Sequence, residues 1–135
     1  MNKVVRGYIF SRPFEGERAP QHIQNLVIRD FCKKNNLDYR LSVSEYIFKN
    51  THLILSQVID EINSLDGIVT YSMLQMPSDK VVRKKYLSKI INKKKTIYFA
   101  LEDLKVSNNV EFDLFEEIWR INQLLPQCKM NISYG

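Results

Sequence analysis

Residues Gly67 to Asp79 read GIVTYSMLQMPSD, and the rest of the chain can be worked out from them. Ile68 to Tyr71 is too short and too apolar for anything but a buried strand. Asp66-Gly67 in front of it is a helix stop signal, and Pro77 behind it marks a loop. Ser78 or Asp79 can then cap a following helix, which carries Val82, Tyr86, Leu87, Ile90 and Ile91 inward. A helix entering and a helix leaving a fully buried strand is the repeating unit of a parallel sheet. Upstream, Asn50 or Thr51 caps a helix with Leu55, Val58, Ile59, Ile62 and Leu65 on one stripe. A short strand at Tyr39 to Val43 precedes it. Before that, Ile23, Leu26, Val27 and Phe31 recur at helical spacing behind Pro20, which suits a first helical turn. Val4 to Phe10 (VVRGYIF) is the first strand. Downstream, Thr96 to Leu101 is a fourth strand, and Phe112, Phe115, Trp119 and Leu125 define a last helix ended by Pro126. The order β-α-β-α-β-α-β-α predicts one α/β domain over residues 1–135, with a mostly parallel four-stranded sheet and helices on both faces.

Composition agrees with that single domain and excludes several classes. The chain has 135 residues, 44% of them apolar and 26% charged, with four Gly and four Pro, so it is neither disordered nor fibrous. No apolar run approaches the roughly 20 residues that span a bilayer, and the N-terminus has no signal-peptide core; no membrane partner is expected. Cys32 and Cys128 are too few for a disulfide scaffold or an all-Cys zinc site. A cytoplasmic protein with reduced thiols is expected.

Ligands of open parallel sheets sit beyond the carboxyl ends of the strands, where strand order reverses. In a flavodoxin-like order that point lies between the first and third strands. The loops Ser11 to Gln21 and Ser72 to Asp79 converge there. The first loop leads into a helix N-terminus, which favours an anion, and Arg12 and Arg18 add bidentate donors. Glu15 and Glu17 can pair with those arginines, which would leave a solvated surface connection instead. Gly7 lies inside a strand and Gly16 stands alone, so there is no glycine-rich phosphate fingerprint; no dinucleotide and no other cofactor is expected. His22 and His52 have no ligand-type partner at i+3 or i+4, so no metal site is expected. Cys32 falls on the inner side of its helix and reads as core. Lys80 to Lys95 (KVVRKKYLSKIINKKK) holds eight basic residues and no acid. It reads as a solvated face, balanced in part by Glu111, Asp113, Glu116 and Glu117; a nucleic-acid backbone or an acidic surface is the alternative.

Two family resemblances rest on these residues. Gly7-Tyr8-Ile9-Phe10-Ser11, a Gln-containing helix from Gln21 to Leu26, and VTYSMLQMPSD at the third strand resemble the catalytic domain of serine recombinases over residues 4 to 103. The likeness implies a flavodoxin/resolvase-like domain with Ser11 as nucleophile. The chain departs from the pattern at the strand arginine, where Ile9 or Phe10 stands. It departs again at the Asp-Arg-Leu-Gly-Arg motif, where Leu74-Gln75-Met76-Pro77-Ser78 stands. The long dimerising helix and the DNA-reading domain of that family are not expected within these 135 residues. Strand transfer needs several arginines around the scissile phosphate, so recombination is not expected.

The second resemblance covers almost the whole chain. GYIFSRPFEGERAPQHIQNLVIRDFC, LSVSEY, GIVTYSMLQMPSD and EEIWRINQLLPQC are similar to the sporadic carbohydrate cluster family, which belongs to surface-polysaccharide and lipopolysaccharide assembly. Joined to the switch point, that resemblance implies a phosphorylated or nucleotide-activated sugar as partner. Ser11, His22 and Glu45 are then the catalytic candidates, and Arg12 and Arg18 clamp phosphate with Gln21 beside them. Gln24 and Asn25 read hydroxyls, while Tyr46, Tyr71, Ser72 and Gln75 complete the wall. Nucleic acid is not expected as a partner in this reading. Its alternatives are a homo-oligomer or non-catalytic docking on a sugar-pathway enzyme through Met73, Met76 and the helix around Trp119, or a degenerate resolvase-like nucleic-acid-binding protein.

Overall fold

The computed structural model describes residues 2–10, 19–45 and 52–124. Strand β1 (Lys3–Phe10) is followed by α1 (Gln21–Lys34), β2 (Leu37–Glu45), α2 (Leu53–Asp60), β3 (Gly67–Thr70), α3 (Lys80–Asn92), β4 (Thr96–Phe99), β5 (Leu104–Val106) and α4 (Asn109–Leu124). Single 3-10 turns stand at Ile62–Ser64 and Met73–Gln75. The sheet order is β2-β1-β3-β4-β5. The first four strands pair in parallel, and β5 runs antiparallel to β4. The sheet therefore has five strands where four were expected. Leu104–Val106 is too short for a readable alternation, and the tight turn before it needs Asp103 at φ 55, a conformation Asp tolerates.

Crossover handedness places the helices. The step from β1 to β2 runs one way along the sheet, and the later parallel steps run the other way. Right-handed connections therefore put α1 on one face and α2 and α3 on the opposite one. On the α1 face, Ile28, Phe31 and Cys32 pack on Val5, Ile9, Val69 and Tyr98. Burial pushes the Cys32 thiol up to about 11. On the other face, α2, α3 and α4 bury Leu55, Leu87, Phe112, Phe115 and Trp119 against Tyr8, Ile68, Ile97 and Phe99.

Local chemistry sets the element ends. The Asp79 carboxylate accepts from Val81 N–H at 2.9 Å and caps α3. Pro20 stands just ahead of α1, its carbonyl accepting from Ile23 and Gln24. Asn50 and Thr51 lie outside the described residues. The free N–H groups of Ile54 and Leu55 in α2 are taken up by the Glu45 carboxylate at 3.0 and 3.2 Å. Gly7 faces a register shift between Arg6 and Tyr8, where a Cβ would stand 2.0 Å from Ser42 Oγ. No described helix is long and apolar enough to cross a membrane.

Candidate functional site

At the carboxyl ends of β1 and β3 two glutamines lock the sheet to its loops. The Gln24 amide treats Phe10 as a strand neighbour would: it accepts from Phe10 N–H at 3.0 Å and donates to Phe10 C=O at 2.9 Å. Its NH2 group also donates to the Ala19 carbonyl at 2.8 Å. Gln75 donates to Gln24 Oε1 at 2.8 Å and accepts from the Thr70 hydroxyl and Ser72 N–H. Ser72 and Gln75 form a capping box around the turn after β3. The Glu102 carboxylate accepts from Ser72 Oγ at 2.7 Å and from Met73 N–H at 2.9 Å. His52 Nε2 stands 3.0 Å from the Gln75 carbonyl. Gln24, Thr70, Ser72 and Gln75 are fully buried, and no buried side-chain nitrogen or oxygen among the described residues lacks a partner. These bonds tie the turn after β3 to α1 and β1. They hold the last described residue of β1 in place.

The expected site residues therefore part company. Gln24, Ser72 and Gln75 come together, with half-buried Tyr71 alongside in sequence. Gln21 and Asn25 reach β2 instead: Gln21 donates to Ser44 Oγ at 2.8 Å, and Asn25 Oδ1 accepts from Ser42 Oγ at 2.6 Å. His22 is exposed on α1. Glu45, 2% exposed, accepts from Tyr8 OH at 2.8 Å as well as from α2. Ser11, Arg12, Arg18 and Tyr46 lie outside the described residues. Sequence reasoning missed His52, Thr70 and Glu102. Glu102 was within reach of the strand-end rule, since it follows β4, the next parallel strand, whereas the expected site drew on the ends of the first three strands. Met73 and Met76 are 0% and 3% exposed, so they offer no docking surface, and Trp119 is buried at 5%. Among the described residues no group of three or more His, Cys, Asp or Glu is placed to hold a metal ion.

The other concentration of chemistry is α3. Arg83 turns inward, donating through Nε and Nη2 to both Glu116 oxygens at 2.7 Å. Its Nη1 donates to the Pro77 and Ser78 carbonyls, and its guanidinium lies 4.1 Å over the Trp119 ring. Glu116 thus balances Arg83 rather than the lysines. Lys80, Lys84, Lys85 and Lys94 are exposed, and none is in a salt bridge among the described residues.

No protein-family model matches the sequence, and no curated protein matches it. Solved structures do match. The N-terminal catalytic domain of TP901-1 integrase superposes with a TM-score of 0.60, covering 91% of this chain and 98% of that domain at 12% identity. A resolvase family site-specific recombinase from Streptococcus pneumoniae gives 0.62, covering 96% and 95% at 9% identity. The chain has the fold of a recombinase catalytic domain. At these identities the likeness shows the fold alone.

That finding corrects the carbohydrate reading. The matched structures are recombinase domains, and nothing matched belongs to surface-polysaccharide or lipopolysaccharide assembly, so the phosphorylated or nucleotide-activated sugar is set aside as partner. Excluding nucleic acid is corrected with it, because the matched folds belong to an integrase and a site-specific recombinase. The physical reason is visible in the stretches quoted for the carbohydrate resemblance. Gly7, Gln24, Ser72, Gln75 and Trp119 are packing and locking residues, which report a fold and not a substrate.

Proposed function

We propose that this chain is a recombinase-fold domain that binds nucleic acid through backbone phosphates without transferring strands, and that it works in the cytoplasm. The observation that carries the reading is the outer face of α3, where Lys80, Lys84 and Lys85 are exposed and in no salt bridge among the described residues, while Arg83 of the same helix is turned in. Lys94, in the turn after the helix, is exposed as well. Exposed lysines in a row suit a polyanion, because each phosphate neutralised releases counterions. Arg12 and Arg18, between β1 and α1, are proposed as further phosphate donors.

Strand transfer is a different demand. It needs arginines around a phosphate whose charge is developing. Where the recombinase pattern has Asp-Arg-Leu-Gly-Arg, this chain has Leu74 to Ser78, with Gln75 and Met76 buried. Arg83, the described arginine that reaches this loop, is spent on Glu116 and two carbonyls.

Fluorescence anisotropy with labelled duplex DNA over a salt series tests the proposal. Binding should weaken steeply with salt, and the double variant Lys84→Glu, Lys85→Glu should lose at least about tenfold in affinity and about 2 in the salt slope. Its melting temperature should stay near wild type, since exposed substitutions usually cost under about 0.5 kcal/mol. Equal affinity for wild type and variant overturns the assigned surface. A covalent Ser11–DNA adduct on supercoiled plasmid, lost in Ser11→Ala, overturns the absence of strand transfer.

A further inference from the structure

Strand β2 is an edge of the sheet. Among the described residues it pairs only with β1, so one row of its backbone N–H and C=O groups has no strand partner there. Its pairing with β1 is regular from Leu37 to Arg40 and shifts after that. In this regular stretch Asp38 and Arg40 project to one face, 52% and 55% exposed and 3.7 Å apart. Tyr39 projects to the other, where its hydroxyl meets Asn25 and Ser42. Leu41, directly after, is 73% exposed.

This short segment is complementary to itself. When two copies of a strand pair antiparallel about a two-fold axis normal to the sheet, one residue faces its own copy and its neighbours exchange partners. Centred on Tyr39, Asp38 faces Arg40 of the second copy, Arg40 faces Asp38 of the second copy, and Leu37 lies opposite Leu41. Centred on Asp38 or Arg40, like charges face each other, which is destabilising. Of these three registers, charge therefore favours the one centred on Tyr39. We propose that the β2 edge is a self-association surface on which two copies join antiparallel, centred on Tyr39, into one continuous sheet. The shift beyond Arg40 keeps the ladder short, so the dimer is weak and concentration-dependent.

The charges supply a test that does not depend on any nucleic-acid activity. Sedimentation velocity on the full chain, from micromolar to near-millimolar concentration, should show wild type moving from monomer towards dimer. Asp38→Lys alone places cations opposite each other in both symmetry-related pairs, and Arg40→Glu alone places anions there. Each should weaken dimerisation by about tenfold. Mixed in equal amounts, the two variants should recover wild-type association, because each then meets the complementary charge. Both positions are half exposed, and far-UV circular dichroism with thermal melts checks that each variant folds. Wild type that stays monomeric over the whole range overturns the proposal. So do variants that dimerise as wild type does, or a mixture that associates no better than its components.

Discussion

The carboxyl end of β1 and β3 and the outer face of α3 are both rich in polar groups, yet they are built in opposite ways. At the strand ends Gln24, Thr70, Ser72 and Gln75 are buried and each finds partners within the cluster. On α3, Lys80, Lys84 and Lys85 are exposed and in no salt bridge among the described residues. Burial explains the difference. A polar group taken out of water must be bonded or it costs about 1–3 kcal/mol, whereas a solvated ammonium keeps its donors free for a ligand. The buried polar residues described at this end of the sheet are therefore spent on one another, while Lys80, Lys84 and Lys85 lie exposed on a helix surface. Arg83 shows both rules on one helix, since it is the basic residue of α3 that is buried and it is fully paired.

Breaking the buried kind of cluster should cost most where a charge is stranded. Glu116→Ala leaves Arg83 buried without its carboxylate, and chemical denaturation should show a loss of about 3–5 kcal/mol. A loss below about 1 kcal/mol would mean that Arg83 escapes to solvent. Gln24→Leu orphans both backbone groups of Phe10 and the Gln75 amide, and should cost about 3 kcal/mol by the same measurement. If stability is unchanged, the strand-end cluster is not a lock, and the contrast with α3 fails.

The α1 face adds a pH arm. The Cys32 thiol is raised from 9.0 to about 11 by burial. The unfolded chain therefore loses this proton first, and stability falls as pH rises from 9 through 11. The loss at pH 11 should be on the order of 2 kcal/mol, and Cys32→Ala should be flatter over that window in parallel melts. The smallest effect sharpens the open side. Lys94 sits at φ 60 after α3, where its N–H bonds Ile91 C=O at 2.9 Å and Lys95 N–H bonds Ile90 C=O at 3.0 Å. Glycine is the usual residue in that motif, so Lys94→Gly should stabilise by about 0.5–1 kcal/mol. A simultaneous drop in DNA affinity would place Lys94 within the phosphate-binding face.

Much of this architecture was legible in local chemistry. Ile68 to Tyr71 reads as a buried strand, Asp79 as a cap and Phe31 and Cys32 as inward positions, because alternation, capping and periodicity each act over a few residues. Ile23 and Leu26, read on the same stripe as Phe31, are exposed, and Gln24 and Ile28 are buried in their place. β5 was not legible, since three residues carry no period. Neither was the Gln24–Gln75 bond, which joins residues far apart in the chain. Glu45 was read as a strand-end carboxylate, and only the packing of α2 against β2 shows which N–H groups it serves. Local sequence determined that the chain alternates strands with amphipathic helices and that its basic residues cluster between Lys80 and Lys95. Tertiary structure decided that Arg83 belongs to the core, that Met73 and Met76 are interior, and that β2 is an edge. Those facts depend on which faces meet once the crossovers have set the strand order, and spacing along the chain does not record that.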